Sequence, residues 1–391
     1  MNGDNPGKIK LDLLYRGVAL AEGAKLPKDP SGAVILILPE DVMVNVTYQA
    51  DYAKDSPYQL HHDGTVWSLQ TSELATPVKV MRPLRAYRRK TRSGIPISDI
   101  LVVHGSFVAV EPMGLCRFTK SGLECKYCRH KGPRLKTAFS TRDLIEALEQ
   151  VRKEVPVDMV HLSSGFVESE DGGVLGLEPL VAEIRNHFNV FVSIDVMPPA
   201  HNDWIDRTYA MGVDAVYYDI DVFDPSLFGA LYPEKQEAFR HQRYLEALAY
   251  AARIFPSGAV CTHLVLGLEP LASTRKGITS LTEMGVLPVL TFFRPQSDSP
   301  LASRWQLQEE AVMPLYQDLF QAVVTHKINP TWIRQYDVVL TPLEGRFFSA
   351  GRRSWRVAQQ NFYKTALGRK TQLSLAAMRR SLRVREIKKG P

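Results

Sequence analysis

The sequence predicts an α/β fold: a TIM-type (βα) barrel of six or more βα units, with a small β-rich N-terminal module before it and a basic, helical C-terminal tail after it. Three observations support this fold class. The chain of 391 residues is long enough for one large barrel with an added module. From about Leu101 onward, short apolar runs alternate with helical patterns, as expected for a parallel sheet with crossover helices. The sequence before this alternating region is rich in short β-type runs, and the sequence after it is rich in basic residues.

Residues 1–95 form the predicted N-terminal module. Apolar, β-rich runs predict strands at Ala33 to Leu38 and Val42 to Tyr48. The pair Asp63-Gly64 between two further β-rich runs predicts a tight turn. We expect this module to cap one mouth of the barrel.

Residues 96–330 form the predicted barrel, in which chemistry is expected on the loops that follow the strands. After the first strand comes a helical run that begins with Ser140 and Asp143, a predicted capping pair. A candidate seventh strand lies further on, at Tyr336 to Leu340. The six main strand candidates are Leu101 to Val110, Asp158 to Leu162, Val190 to Asp195, Ala215 to Ile220, Ala259 to Leu266 and Val286 to Phe292.

Residues 331–391 form the predicted C-terminal extension, which carries a marked excess of positive charge. Residues 352–391 hold 12 of the 48 Lys and Arg residues and one of the 42 Asp and Glu residues, so the rest of the chain is mildly acidic. Such a tail is suited to docking on an acidic partner or on nucleic acid. The alternative, favoured by the lack of an aromatic stacking pattern, is a helix whose basic face is solvated or covers the acidic exterior of the barrel.

Composition and cysteine usage indicate a cytoplasmic protein. The 45% hydrophobic and 23% charged residues are ordinary for a globular chain. No apolar run approaches the length of a membrane span, and the N-terminus lacks the apolar core of a secretion signal. Four cysteines argue against a disulfide framework. Cys261 lies in an apolar run and is expected to be a buried strand residue.

The other three cysteines form the most specific motif of the chain. Cys116, Cys125 and Cys128 stand as C-x8-C-x2-C on the loop after the first predicted strand. Structural zinc is normally held by four protein ligands, and no fourth cysteine is near. Three thiolates instead suit a [4Fe-4S] cluster that keeps one iron open. The alternative is a Cys3His zinc site that uses His130, in a protein that binds nucleic acid or another partner.

The motif and the chain around it resemble the biotin-synthase-like branch of the radical SAM superfamily, over residues 101 to about 300. The resemblance rests on the cysteines and on the order of the runs HLSSGF, YYDIDVFDPSLF, CTHLVLGLEP and GVLPVLTFFRP. It implies a [4Fe-4S] cluster that reductively cleaves S-adenosylmethionine (SAM) to a 5'-deoxyadenosyl radical. That radical abstracts hydrogen from a small-molecule substrate, and an electron donor such as flavodoxin or ferredoxin reduces the cluster.

The resemblance also implies contacts with the adenine and the methionyl group of SAM. Tyr127, between the last two motif cysteines, is implied to pack near the adenine. Ser163, Ser164 and Gly165 are similar to the Gly-Gly-Glu strand end whose backbone meets the methionyl ammonium. Phe166 stands where that motif has its acid, so the polar partner of the ammonium is left open.

Five further positions complete the implied SAM site. Asp219 and Asp221, two residues apart at a strand end, match the polar pair that binds the ribose hydroxyls, although surface acids or a helix cap remain an alternative. Arg243 matches the basic residue that meets the methionyl carboxylate, with a surface helical arginine as the alternative. Gly267 and Glu269 match the strand end beside the adenine.

The reaction subclass is narrowed by what the sequence lacks. Sulfur insertion consumes an auxiliary iron-sulfur cluster, and beyond the motif only Cys261 remains. A cobalamin-binding D-x-H-x-x-G loop is also missing. Rearrangement, a lyase reaction or oxidation is therefore favoured, and the sequence does not choose among them.

Overall fold

The computed structural model describes residues 5–26, 32–73, 75–112, 125–126, 138–167, 169–293, 301, 309–342, 344–348, 359, 361–363 and 365–387. Within these residues the strands form a six-stranded sheet near the N-terminus and a seven-stranded sheet in the middle of the chain. The two sheets account for the mixed α/β character that the sequence predicts.

The N-terminal sheet has the strand order β1-β4-β5-β6-β2-β3. Its longest hairpin pairs β2 with β3, with Leu38 opposite Val42, close to the predicted strand limits. The predicted turn is present, because the Asp63 carboxylate accepts hydrogen bonds from the backbone of Thr65 and Val66, each at 2.8 Å. The strands are β1 (Ala19–Leu20), β2 (Ala33–Leu38), β3 (Val42–Thr47), β4 (Gln59–His62), β5 (Trp67–Gln70) and β6 (Ala75–Val80).

The central sheet has the order β13-β12-β11-β10-β9-β8-β7. Neighbouring strands from β8 to β13 are all parallel, and most of their residues are buried on both faces, as parallel sheets require. Among the described strands β7 and β13 are edges, so the sheet is an open half-barrel. We call the C-terminal ends of these parallel strands the mouth and their N-terminal ends the base. The strands are β7 (Leu101–His104), β8 (Phe107–Val110), β9 (Met159–Ser163), β10 (Phe191–Asp195), β11 (Ala215–Tyr217), β12 (Val260–Leu266) and β13 (Leu287–Phe292).

Two details differ from the predicted strands. The run Leu101 to Val110 is an antiparallel hairpin rather than one strand, because the chain reverses at Gly105, whose φ is +65°. The candidate seventh strand at Tyr336 to Leu340 is irregular. There the backbone carbonyl of Asp337 accepts a hydrogen bond from Asn45 of β3, and its carboxylate contacts His104 of β7 at 3.2 Å. This segment therefore connects the two sheets.

Helices form the crossover connections between the parallel strands. The predicted capping pair is confirmed, since Ser140 and Asp143 exchange backbone and side-chain hydrogen bonds at the start of α3. None of the described helices has the length and apolar character needed to cross a bilayer. The helices are α1 (Pro6–Arg16), α2 (Asp51–Lys54), α3 (Thr141–Arg152), α4 (Val174–His187), α5 (Asp203–Ala210), α6 (Pro225–Leu231), α7 (Pro233–Ala238), α8 (Arg240–Ile254), α9 (Leu271–Glu283), α10 (Glu309–Thr325) and α11 (Ala366–Ile387).

The basic helix α11 lies across the base of the half-barrel. Arg380 donates hydrogen bonds to both carboxylate oxygens of Asp214, the residue before β11, at 2.9 and 3.1 Å. Arg383 donates to the backbone carbonyl of Val213 at 2.9 Å, and Arg369 lies 3.7 Å from the carboxylate of Asp158, the residue before β9. These contacts support the interpretation that the tail covers acidic residues of the barrel.

Candidate functional site

Polar residues gather at the mouth of the half-barrel, where the sequence predicts the site. Ser163 ends β9, Asp195 ends β10, and Asp219 and Asp221 follow β11. Since neighbouring parallel strands end on the same side of a sheet, their last side chains come together there.

Asp219 is paired with His263 of β12. One carboxylate oxygen of Asp219 accepts a hydrogen bond from the backbone N–H of His263 at 3.0 Å, and the other lies 2.7 Å from its Nδ1. Burial disfavours the charged imidazole, but the attraction and hydrogen bond of Asp219 outweigh it and raise the pKa of His263 to about 9. For Asp219 the same contacts outweigh burial and lower its pKa. The dyad is therefore a half-buried imidazolium and carboxylate pair at neutral pH.

Asp195 is a member of the site that the sequence analysis missed. Its Oδ2 accepts a hydrogen bond from the Ser163 hydroxyl at 3.1 Å. Burial and repulsion by Asp219 raise the pKa of Asp195 to about 8. A carboxyl group with so high a pKa at a strand end is characteristic of a functional position. In the sequence, the signal that could have identified Asp195 was its position as the last residue of an apolar predicted strand.

Asp221 forms a second ion pair, with Lys235 of α7, at 3.2 Å, and this pair is buried. Its own backbone adopts a φ of +61°, which is unusual for a residue other than glycine. Neighbouring strand contacts hold that conformation, because Asp221 donates its N–H to the carbonyl of His263 and accepts from the N–H of Val265. Strained backbone of this kind collects at functional sites. Lys235 was also missed, because a lysine in a charged helical run is normally exposed.

Cys125 lies at the same end of the half-barrel and is half-buried. The next residue, Lys126, donates a hydrogen bond to the carbonyl of Ala230 in α6 at 2.7 Å, which ties this part of the cysteine loop to the helix after β11. Burial opposes protonation of Lys235, but the charges of Asp221, Tyr244 and Cys125 raise its pKa well above the ordinary value. The structure thus brings Cys125 near the Asp221 pair. Four other predicted or alternative ligands and contacts lie outside the described residues: Cys116, Cys128, Tyr127 and His130.

The Ser-Ser-Gly stretch after β9 is closely packed. Ser164 is buried, and its N–H donates to the backbone carbonyl of Asp195 at 3.0 Å. Gly165 has a φ of +60°, a conformation that glycine adopts at no steric cost. The Phe166 side chain is buried edge-on against Phe239, with ring centroids 5.5 Å apart. This stretch therefore offers backbone groups at the mouth, and Phe166 adds no polar group.

Two of the predicted SAM contacts, Arg243 and Glu269, make specific contacts within the protein, and a third, Gly267, has a backbone conformation that favours glycine. Arg243 of α8 donates to the carbonyl of Pro199 at 2.8 Å and to the side chain of Asn202 at 2.9 Å, in the loop after β10. The buried Glu269 carboxylate accepts two backbone hydrogen bonds at 2.9 Å from the loop after β11, and burial raises its pKa. Gly267 follows β12 with a φ of +103°. Glu269 thus fixes the loop that carries Asp221, and its role toward SAM stays a prediction.

A column of rings fills the half-barrel below this polar layer. Ring centroids are 5.2 Å apart between Phe107 and His161 and between His161 and Tyr217, and 5.6 Å apart between Tyr217 and His263. The Nδ1 of His161 lies 2.9 Å from the hydroxyl of Ser193, and burial lowers the pKa of His161 to about 3. His161 is therefore the satisfied core histidine that its apolar strand predicts.

A cavity of about 230 Å³ lies elsewhere, between β2 and β7. It is lined mainly by apolar side chains such as Val34 and Leu101, with Arg82 and Asp99 among its polar residues. Its lining includes none of the predicted site residues that the structure describes. The polar cluster at the mouth is therefore a separate feature.

Comparison with curated proteins finds a relative that is similar in sequence to part of this chain. No protein family model matches the chain. A bacteriochlorophyllide c C-7(1)-hydroxylase of Chlorobaculum limnaeum is 25% identical over 268 residues, which cover 60% of this chain and 65% of the relative. The match thus spans slightly less than two thirds of the relative's length.

Comparison with solved structures finds partial likenesses, which include three proteins described as enzymes or maturases. Methylornithine synthase has a TM-score of 0.45 and 12% identity over 61% of this chain and 72% of the other. A maturase of the [FeFe]-hydrogenase has a TM-score of 0.45 and 12% identity over 56% and 49%. A radical SAM methyltransferase from Sphaerobacter thermophilus has a TM-score of 0.40 and 13% identity over 68% and 75%.

The chain resembles radical SAM enzymes. One of the solved structures is described as a radical SAM methyltransferase, which agrees with the resemblance that the motifs predict. Enzymes of that superfamily use a [4Fe-4S] cluster and SAM. The spacing of the three cysteines as a cluster motif and the individual SAM contacts stay predictions.

Proposed function

We propose that this protein is a radical SAM enzyme in which Cys116, Cys125 and Cys128 hold a [4Fe-4S] cluster. When bound, the cluster and SAM supply a 5'-deoxyadenosyl radical that removes hydrogen from a small-molecule substrate. The observation that carries the proposal is the position of Cys125, at the mouth of the half-barrel and near the buried Asp221 and Lys235 pair. Flavodoxin or ferredoxin is the proposed class of electron donor.

The residues at the mouth fit these groups. Three thiolates concentrate negative charge, and Lys235 provides a buried positive charge close to one of them. Asp219 and Asp221 offer carboxylate oxygens as hydrogen-bond acceptors for hydroxyl groups. Their partners His263 and Lys235 hold these carboxylates in place, so that the acceptors are already oriented before a ligand arrives.

The rest of the chain supports this site. We propose residues 96–330 as the catalytic domain, with 1–95 and 331–391 as flanking regions that brace it. Lys10 of α1 and Glu344 form a buried ion pair at 2.9 Å, which joins the two flanking regions to each other. Arg380 joins the C-terminal region to the base of the half-barrel.

Oxidation of an unactivated carbon is the reaction subclass to test first. The sequence relative is a hydroxylase of bacteriochlorophyllide c. Chlorophyll-type pigments are therefore the first substrates to assay. The mouth contains both donors and acceptors, the His263 and Asp219 dyad among them, that could orient polar groups of such a molecule.

The decisive experiment is anaerobic purification and reconstitution, followed by assay of iron, sulfide, zinc and 5'-deoxyadenosine release with dithionite and SAM. We expect about four irons and four sulfides per chain, together with release of 5'-deoxyadenosine. Stoichiometric zinc without iron, and no cleavage, would overturn the proposal and favour the zinc-binding alternative.

A pair of cysteine variants makes the assay specific. Cys125→Ala should abolish both the cluster absorbance and the cleavage of SAM. Cys261→Ala is the matched control, because Cys261 is a buried residue of β12 whose pKa burial raises to about 12, so that it is a protonated thiol and a poor iron ligand. Loss of cleavage in both variants would show that the effect is not specific to the motif.

A further inference from the structure

The strand end after β9 lacks an acid of its own, and the neighbouring strand supplies one. The residue after Gly165 is Phe166, whose ring is buried against Phe239. Asp195, at the end of β10, lies against the same stretch through two contacts. The Ser163 hydroxyl donates to its carboxylate at 3.1 Å, and the Ser164 N–H donates to its backbone carbonyl at 3.0 Å. A carboxylate therefore stands beside the Ser-Ser-Gly backbone although the local sequence has none.

Asp195 differs from Asp219 and Asp221, the other two aspartates at the mouth. Asp219 is paired with His263, and Asp221 is paired with Lys235. Among the residues that the structure describes, Asp195 has a hydroxyl partner but no cation within ion-pair distance. Its pKa of about 8 reflects burial and the nearby Asp219 charge. A ligand that brings charged or polarised N–H donors to Asp195 would therefore stabilise its carboxylate form.

We infer that Asp195, oriented by Ser163, binds the amino group of SAM. This inference rests on the proposed function. Of the groups in the methionyl part of SAM, the sulfonium has no hydrogen to donate and the carboxylate would be repelled. The amino group offers N–H donors, whether protonated or polarised by a metal ion, and a carboxylate is the strongest acceptor that a protein can present to them. Asp195 therefore supplies the carboxyl group that is missing at position 166, where this chain has Phe166.

The test is calorimetric titration of the cluster-loaded protein with two ligands, SAM and its deamino analogue, which keeps the sulfonium and the carboxylate and lacks only the amino group. Asp195→Asn keeps the size of the side chain but removes its charge. It should weaken SAM binding by about 30-fold or more, the loss typical of a hydrogen-bonded buried charge pair. Binding of the deamino analogue should stay within about 2-fold of its affinity for the unmodified protein, since it makes no contact through an amino group.

Two further variants complete the design. Ser163→Ala removes only the hydroxyl that orients Asp195 and should weaken SAM binding by about 5-fold, the worth of one hydrogen bond. It also keeps the test available if Asp195→Asn fails to fold. Asp206→Asn is the matched control, because Asp206 lies on α5 and its contact with Tyr250 is exposed. It should leave the affinity for both ligands unchanged.

The possible outcomes separate this inference from the proposed function. Unchanged SAM affinity in Asp195→Asn, or an equal loss for both ligands, would overturn the assignment of Asp195 while SAM cleavage by the unmodified protein still supported the enzyme. A cluster-loaded protein that binds no SAM at all would overturn both. Iron and sulfide content, measured for every variant, shows whether the cluster is intact.

Discussion

The clamp between the tail and the base of the half-barrel predicts a measurable contribution to stability. Asp214 is completely buried and accepts hydrogen bonds from two arginines, Arg380 of α11 and Arg185 of α4. Arg380 also donates to the side chain of Asn189 at 3.0 Å. The perturbation is Arg380→Ala, which removes three hydrogen bonds and leaves Asp214 paired with Arg185.

The magnitude follows from these contacts. A hydrogen bond to a charged group contributes about 1.5–3 kcal/mol. Two of the three bonds of Arg380 share one carboxylate, and Arg185 still neutralises that carboxylate in the variant, with Arg185 Nη2 and Asp214 Oδ2 2.5 Å apart. We therefore expect Arg380→Ala to lower the free energy of unfolding by about 2–3 kcal/mol, below the ~3–5 kcal/mol typical of breaking a buried ion pair altogether.

The assay is urea unfolding under anaerobic conditions, followed by far-ultraviolet circular dichroism. Lys370→Ala is the matched control, because Lys370 is exposed on the same helix, and it should change the free energy by less than about 0.5 kcal/mol. An equally small change for Arg380→Ala would refute the clamp. The tail would then be free to dock on an acidic partner or nucleic acid, as its charge alone suggests.

Three further predictions concern the mouth. Asp219→Asn should lower the pKa of His263 from about 9 to below 6.5, because burial then acts without its counter-charge. The stabilisation from this imidazolium, complete below pH ~6.5 and lost as the pH rises through ~9, should vanish; an NMR titration that still finds a pKa near 9 would contradict the dyad. Asp221→Asn should weaken SAM binding by about 10-fold with iron content intact, since it replaces the proposed carboxylate acceptor of the ribose hydroxyls by an amide and breaks the pair with Lys235, and unchanged affinity in a calorimetric titration would rule out the ribose assignment. Glu269→Ala leaves two backbone N–H groups of the loop after β11 unpaired and should cost about 3 kcal/mol in thermal unfolding, whereas Glu269→Gln, which keeps an acceptor, should cost less.

The sequence predicts the parallel strands well because they are apolar on both faces. The predicted strand at Ala259 to Leu266 begins one residue before β12 and ends with it, and the capping pair of Ser140 and Asp143 forms as expected. The hairpin at Gly105 was missed because apolar runs flank it on both sides, so that hydrophobicity alone suggests one continuous strand. Its glycine was the local signal of the turn.

The candidate site was only partly predictable. Asp219 and Asp221 stand out because they interrupt an apolar run at its end. His263 lies inside an apolar strand, and Lys235 lies in a charged helical run, so their neighbours in sequence suggest a core residue and a surface residue. Their roles depend on carboxylates that come from other strands, and such pairing across strands is a tertiary property that local patterns do not contain.

Helix α11, which covers the base of the half-barrel, is also the last described helix to leave the ribosome. Until it emerges, the buried Asp214 has only Arg185 as its side-chain partner, and the base of the sheet lacks its cover. The N-terminal sheet and the cysteine loop are synthesised much earlier, and chains generally begin to fold from the N-terminus during synthesis. A chain that ended shortly before α11 would therefore contain every cysteine of the motif but leave this acidic base uncovered.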